Sequence, residues 1–268
     1  SPNALGPVFV YSGFGSQHRK MAKQLMASSP LFAQRMRELD SIVQFEAGWS
    51  IIEIIEDDGL TYDTETGQVA VTAYQIALTD MLDAAGIRPA AVMGMSMGEI
   101  AAGYASGGIS AKDAMVIACH RARLMGEGEA LTADTDAEGA MAVVELSADQ
   151  LEGTGVEAAV FAGPGMLTVG GPVGAVKGLV EKLEEEGKFA RLMRVRGAGH
   201  TSALDPILGD LAAQIAGIEA HPLRIPLLSS VDERVVYQPG QVVHTDEYFL
   251  RMTRQPVYIQ QDTETAFA

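Results

Sequence analysis

The stretch from Ala90 to Glu99, A-A-V-M-G-M-S-M-G-E, constrains the fold of this chain more than any other. An apolar run ends at Gly94, and Met95, Ser96, Met97 and Gly98 lead on into a segment with helix-like spacing. The pattern is G-x-S-x-G between a strand and a helix. A strand that turns sharply into a helix crowds the backbone on both sides of the serine, where only residues without a Cβ fit. Such a turn lifts the Ser96 hydroxyl out of the fold and sets it at a helix N-terminus. Backbone N–H groups there can stabilise an oxyanion. The same pentapeptide also serves as a small-residue turn that packs a helix on a sheet, and the remaining chain decides between the two.

A chain of 268 residues is long enough for one large core, alone or with a smaller satellite. Its 47% apolar and 20% charged residues are those of an ordinary globular protein. No uninterrupted apolar window of about 18 residues occurs, so no transmembrane helix is expected. The opening S-P-N-A-L-G-P has neither the basic nor the apolar region of a signal peptide. The single cysteine, Cys119, rules out an internal disulfide framework and fits a reducing, cytoplasmic setting. No Cys/His group has metal-like spacing, so no metal is expected. A net charge of −16 argues against nucleic acid or an anionic membrane surface as a partner.

The pattern along the chain is that of an α/β fold. Residues 7–11 read as a short buried strand, followed by the Gly-rich turn S-G-F-G-S-Q, which lacks both nucleotide fingerprints. A helix opens at His18, residues 30–57 have helical spacing, and Val69–Ala85 is a helix ended by Gly86 and Pro89. After the Ser96 turn a helix ends at Ser106-Gly107-Gly108, and Ser110 with Asp113 resembles a capping box for the next one. Glu127–Glu138 reads as an exposed acidic connector. Strands at 140–146, 156–162, 166–169 and 189–195, with helical segments from Ser147 and over 173–186, give the order βαββαβ of a ferredoxin-like unit. The region 140–196 is therefore expected as a small subdomain inserted into a large one made of 1–139 and 197–268. His200 stands just before a helix reaching Ile215, 225–230 is a strand, Pro239-Gly240 a turn and 248–254 a short helix.

The helix from Ser110 puts Ala114, Ala118, Ala122 and Met125 on one face, and Arg121 lies on that same face with Arg123 roughly opposite. An arginine on a packed face is costly unless something pairs with it. A buried structural ion pair is one resolution. The other is a clamp for a substrate carboxylate, which the two-pronged guanidinium suits. His18, His120, His221 and His244 read as surface or structural residues, and Cys119 as a small core residue.

Six segments, in order, give this chain its resemblance to the acyltransferase domains of type I polyketide and fatty acid synthases and the malonyl-CoA:acyl-carrier-protein transacylases. F-V-Y-S-G-F-G-S-Q resembles the family's N-terminal loop, and Gln68 in T-G-Q-V-A its T-Q-P-A segment. G-M-S-M-G-E resembles the nucleophile turn, and H-R-A-R-L-M the segment with the carboxylate-binding arginine, at Arg121. G-A-G-H-T-S resembles the segment ending in the catalytic histidine, at His200, and Arg254-Gln255-Pro256-Val257 the C-terminal R-x-P-V. Within the family, G-F-G-S-Q-H-R-K-M, L-M-G-E-G-E-A and K-F-A-R upstream of G-H-T-S look most like the acyltransferase of the mycolate-condensing polyketide synthases.

The resemblance implies an α/β-hydrolase-like large subdomain with a mainly parallel sheet, a ferredoxin-like small one, and a site in the cleft between them. It implies that Ser96 attacks a thioester and that His200 acts as base, first for Ser96 and then for the phosphopantetheine thiol of an acyl carrier protein. The oxyanion would sit on the backbone N–H groups of Phe14 and Met97, and Arg121 would hold the acyl carboxylate. Gln68, Met95, Gly199 and Gln255 would complete the substrate contacts. An acyl-CoA would be the donor, with no cofactor bound in the domain itself and a ketosynthase among its neighbours.

Three departures from the family pattern bear on the substrate. Phe14 replaces the usual glutamine, but that position acts through its backbone. Met95 replaces the usual histidine beside the nucleophile and makes the pocket more apolar. Gly199 leaves space where a malonyl-selective pocket has phenylalanine, which implies a larger, long-chain 2-alkyl substituent. The family's final F-x-E-x-x-P strand is absent before Ala268, so the chain is expected to be a piece of a multidomain parent. A thioesterase or esterase would want an H-G-G-G-like loop, which is absent, and an Asp ahead of a late His, whereas Asp205 follows His200. His221 and His244 remain open for that reading. An inactive carrier-docking domain would be signalled by loss of Ser96, Arg121 or His200, and all three are present.

Overall fold

The computed structural model describes residues 6–13 and 18–259. Its elements run β1 (Val8–Tyr11), α1 (His18–Ser28), α2 (Pro30–Ala47), α3 (Ile51–Glu56), α4 (Thr64–Ala84), β2 (Ala91–Gly94), α5 (Gly98–Ala105), α6 (Ala111–Thr132) and β3 (Gly139–Val144). There follow β4 (Glu157–Gly163), β5 (Met166–Pro172), α7 (Val173–Glu185), β6 (Ala190–Leu192), α8 (Asp205–Ile215), β7 (Leu227–Leu228), β8 (Val236–Tyr237), α9 (Asp246–Arg254) and β9 (Val257–Tyr258).

Two sheets divide the chemistry of the fold. The first has the order β1-β2-β7-β8, with β2 parallel to both β1 and β7 and only β8 running against its neighbour. A parallel sheet must be covered on its faces. Here α2, α4, α5 and α6 bury the apolar side chains of one continuous core, including Phe32, Met36, Tyr74, Ile76, Ile100 and Met115. The second sheet has the order β6-β3-β5-β4, antiparallel throughout, with β9 added parallel to β4 at the far edge. It covers a separate small core, where Val144, Leu167 and Val169 meet Val176, Leu179 and Leu183 of α7. This is the ferredoxin-like order, with a fifth strand from residues 257–258, outside the 140–196 stretch. The first helix of the unit is a single 3₁₀ turn at Ala148–Leu151.

Boundaries differ from the sequence expectations where capping chemistry intervenes. The 30–57 stretch is two helices. Gly48, at φ 79°, ends α2 in the left-handed conformation, and the Ser50 hydroxyl then accepts the Glu53 N–H to start α3. Helix α4 begins at Thr64, five residues ahead of the expected Val69, because Asp63 and Thr66 close a capping box there. Ser110 caps α6 by accepting the Asp113 N–H, but the Asp113 carboxylate accepts the Glu219 N–H and leaves the box open. The acidic run from Glu127 is not all connector, since α6 continues to Thr132. Arg123 pairs with Glu127 one turn on, and Gly128 lets Ile207 pack against the helix. No helix among the described residues is long and apolar enough to cross a membrane.

Candidate active site

The turn at Ser96 has the geometry its sequence requires. Ser96 sits at φ 56°, a left-handed backbone that a non-glycine residue adopts only when its surroundings over-determine it. Those surroundings are backbone on both sides. A Cβ on Gly94 would lie 2.4 Å from the Glu99 nitrogen, and one on Gly98 would lie 1.9 Å from the Tyr11 carbonyl oxygen. The two glycines thus let the turn close against α5 and β1. Met97 stands at the N-terminal boundary of α5 with no side-chain cap, so its N–H belongs to the helix end that favours negative charge.

The Ser96 Oγ lies 2.5 Å from Nε2 of His200, a residue 104 positions away in sequence. His200 is itself left-handed, at φ 59°, and buried. Its Nδ1 faces the Gln255 carbonyl oxygen at 3.1 Å. A carbonyl accepts only, so Nδ1 carries the proton and Nε2 is left as the acceptor that faces Ser96. Burial lowers the His200 pKa from its ordinary value to about 4, with the nearby positive charge of Arg121 acting in the same direction. The ring is therefore neutral at physiological pH and free to take a proton from the serine. Among the described residues no carboxylate is hydrogen-bonded to it, and Asp205 accepts Nε–H of Arg254.

Arg121 is 3% exposed. Its Nε donates to Thr253 Oγ1 at 3.0 Å and its Nη1 to Gln68 Oε1 at 3.3 Å. Among the described residues no carboxylate pairs with it, so the structural ion pair open from the sequence is not what holds it. Burial lowers its pKa to about 10, which leaves it charged at neutral pH. A buried, charged guanidinium with no carboxylate partner among the described residues has the chemistry to bind an anion.

These groups share one cleft of about 330 Å³. It is lined from the first sheet and its helices by Gln68, Ser96, Met97, Arg121, Met125 and Glu129. The second sheet and the segment leading to His200 contribute Met141, Val160, Thr168, Met193, Val195, Arg196, Gly199 and Val257. Gly199 faces open space, since a Cβ there would find only the Met125 methyl, at 3.9 Å.

The structure thus brings Ser96, His200, Arg121, Gln68, Met97 and Gly199 together, and it sorts the other expected contacts differently. Gln255 meets the site through its backbone carbonyl and is otherwise exposed. Met95 is half-buried and stands outside the cleft lining, where Met97, Met125, Met141 and Met193 supply the apolar wall. Phe14 lies outside the described residues. Thr253, Glu129 and Arg196 were not legible as site residues. The only signal for Thr253 is its place on α9, just ahead of the R-x-P-V segment. The His18 side chain lies outside what is described. Three other histidines are elsewhere: His120 pairs with Glu46, His221 is exposed, and His244 is fully buried among Tyr248 and Phe249. Cys119 is buried, with its thiol pushed up to about 12, as befits a core residue.

Comparison with known proteins gives the same frame. The family model described as acyl transferase domain matches residues 8–268. The chain is similar to a mycocerosic acid synthase-like polyketide synthase of Mycolicibacterium smegmatis, 34% identical over 251 residues, covering 91% of this chain and 11% of that protein. It is also similar to a phenolphthiocerol/phthiocerol polyketide synthase of Mycobacterium tuberculosis, 32% identical over 266 residues, covering 97% of this chain and 14% of that protein. It therefore spans only about a tenth to a seventh of the length of these relatives. Among solved structures, the acyltransferase domain of the polyketide synthase PpsC of Mycobacterium tuberculosis matches with a TM-score of 0.84 at 28% identity, covering 98% of this chain and 80% of that one. With a family match that spans the sequence from the first strand onward, and a fold that agrees over nearly its whole length, this chain belongs to the acyl transferase domain family.

Proposed function

We propose that this domain transfers a carboxyacyl unit of the malonyl type, bearing a long 2-alkyl chain, from a CoA thioester to Ser96 and then to the phosphopantetheine thiol of an acyl carrier protein. The observation that carries this reading is Arg121, buried and charged at the wall of the Ser96 cleft with no carboxylate partner among the described residues. A simple acyl chain would leave that charge desolvated and unpaired, whereas a malonyl-type carboxylate pairs with it.

The chemistry runs in two halves. Ser96 Oγ attacks the thioester carbonyl as His200 Nε2 takes its proton, and the oxyanion is held by the N–H groups of Met97 and Phe14. Collapse breaks the C–S bond, and the departing CoA sulfur takes the proton from His200 and leaves as the thiol. The carrier thiol then gives its proton to His200 and attacks the Ser96 ester. Collapse breaks that ester bond and His200 returns the proton to Ser96 Oγ, so the kinetics are ping-pong. The open side of Gly199 and the methionine wall favour an alkyl branch on the acyl unit.

In this reading 140–196 is the inserted subdomain, and the large one formed by 1–139 and 197–268 carries the nucleophile. The domain works inside a multidomain synthase beside a ketosynthase. The finer assignment is to a mycolate-condensing synthase. The relatives above are named for mycocerosic acid and phthiocerol, so the length of the 2-substituent is the quantity to measure.

The test is intact-mass analysis after incubation with carboxyacyl-CoAs of graded 2-alkyl length. A stable mass increase that favours long substituents is expected. Ser96→Ala should abolish it, and Gly199→Phe should shift the preference toward malonyl. Persistent labelling of Ser96→Ala would remove the nucleophile, and an unchanged preference in Gly199→Phe would take Gly199 off the acyl wall.

A further inference from the structure

The chain carries 35 acidic residues against 19 lysines and arginines, yet three of its arginines fall within one run of six, Arg191, Leu192, Met193, Arg194, Val195 and Arg196. The run leaves the edge strand β6 and leads toward His200, and every residue in it is exposed. Most other arginines are held by acid partners: Arg19 by Asp58, Arg35 by Asp80, Arg88 by Asp83, Arg123 by Glu127, Arg251 by Asp232 and Arg254 by Asp205. Among the described residues Arg191, Arg194 and Arg196 have no such partner. An acidic surface that leaves three adjacent guanidiniums unneutralised concentrates its positive potential at one place.

Two of the three, Arg194 and Arg196, stand at the outer mouth of the active-site cleft. A cavity of about 540 Å³ is lined by Thr64, Glu129, Met193, Arg194, Val195 and Arg196. All of these except Arg194 also line the Ser96 cleft, so the two spaces are continuous. The passage thus has an arginine lip, a partly apolar neck at Met193 and Val195, and Ser96 within. Val195 is 46% exposed and Met193 38%, which leaves apolar area for a ligand to cover. A phosphopantetheine thioester has the matching profile, with phosphate at one end and the reactive carbonyl at the other.

We propose that Arg194 and Arg196 form a phosphate-binding lip that seats the phosphopantetheine arm of the incoming thioester at the mouth of the Ser96 cleft. The assignment rests on the acyl-transfer reading above. Guanidinium suits the ligand because its planar fork matches phosphate oxygens two at a time. The lip would also let an otherwise repelling −16 surface admit an anionic substrate.

Calorimetric titration of the whole chain and of Arg194→Ala/Arg196→Ala with free CoA, 4′-phosphopantetheine and phosphate-free pantetheine tests the lip without any turnover. The unaltered protein should bind the two phosphorylated ligands at least tenfold tighter than pantetheine, with a gap that narrows as salt is added. The double alanine variant should lose the gap and a double lysine variant should regain part of it. Equal affinities in the unaltered protein, or a gap that survives in the alanine variant, would overturn the proposal. A kinetic arm separates the sources of the phosphate. Loss in Ser96 acylation by a CoA thioester assigns the lip to CoA, and loss in transfer to a holo-carrier assigns it to the carrier-borne arm. An equal effect on competition by apo-carrier, which has no arm, would overturn it in favour of the carrier's protein surface. If no thioester acylates Ser96 while the phosphate-dependent binding persists, the transfer reading fails and the lip stands.

Discussion

At the scale of single residues, burial sets the protonation behaviour of the groups in the site. Arg121 is charged where burial disfavours charge, and His200 is neutral where its ordinary pKa would leave it part protonated near pH 6.5. Arg121→Ala removes the carboxylate partner and should lower transfer of a carboxyacyl unit relative to a simple acyl unit by about 10–100-fold, the worth of a lost charge-assisted contact. Competing the two acyl-CoAs in one reaction reads that ratio directly, and an unchanged ratio would place the carboxylate elsewhere. His200 must be neutral to accept the serine proton, and its folded pKa is about 4. Acylation measured as kcat/KM should therefore hold steady as pH falls through 6.5 and decline only toward 4. An inflection at 6.5 or above would mean that the ring is solvated in the working enzyme.

At the scale of elements, the nucleophile's position follows from how closely α5 approaches β1 and from where α9 ends. The turn admits no side chain at Gly98, because a Cβ would collide with the Tyr11 backbone of β1. Gly98→Ala must push the helix off the sheet, at a cost of more than about 2 kcal/mol, with loss of Ser96 reactivity. Urea denaturation with parallel fluorophosphonate labelling checks both outcomes, and a variant of normal stability and labelling would refute the close-approach argument. His200 depends on a different element, since its Nδ1 is fixed by the carbonyl of Gln255, the residue that caps the end of α9. The histidine is thus oriented by main chain where serine hydrolases commonly use a carboxylate. An acceptor supplied by backbone leaves no mark in residue identity, which is why Gln255 reads as a side-chain contact from sequence.

At the scale of the whole molecule, the two halves of the site are tied through a buried carboxylate one residue past the turn. Glu99 is fully buried on α5 and accepts from the Ser230 N–H and hydroxyl, at 2.9 Å each, and from the Tyr248 hydroxyl at 3.1 Å. It joins the nucleophile helix to the loop after β7 and to α9, whose end orients His200. Burial raises its pKa from the ordinary 4.5 to about 7. Between those values the folded chain holds a proton that the unfolded chain lacks. The resulting stabilisation is complete below about pH 4.5 and is lost as pH rises through 7. Glu99→Gln cannot titrate, so its stability relative to the unaltered protein should rise between pH 5 and pH 8. Taking the difference cancels the contributions of other groups, such as His200 and His244. Parallel urea midpoints for the two proteins across that range would show that Glu99 does not titrate there.

Sequence alone was enough for the features that local chemistry dictates. The G-x-S-x-G turn follows from the glycines on either side of Ser96, and the βαββαβ order from alternating apolar runs. The position of Arg121 on a packed helix face follows from its spacing with Ala114, Ala118 and Ala122. The family resemblance added the pairing of Ser96 with His200 as an expectation. What only the tertiary structure decided is what depends on contacts between segments far apart in the chain. These are the 2.5 Å approach of Ser96 to His200, the Gln255 carbonyl that fixes the imidazole, and Thr253 and Gln68 on the arginine. They also include the addition of β9 to the second sheet and the opening of residues 193–196 onto the cleft. The physical reason is that periodicity and capping report how a segment meets its nearest neighbours in sequence, while a backbone acceptor or an unpaired guanidinium is defined by whichever distant segment the fold brings beside it.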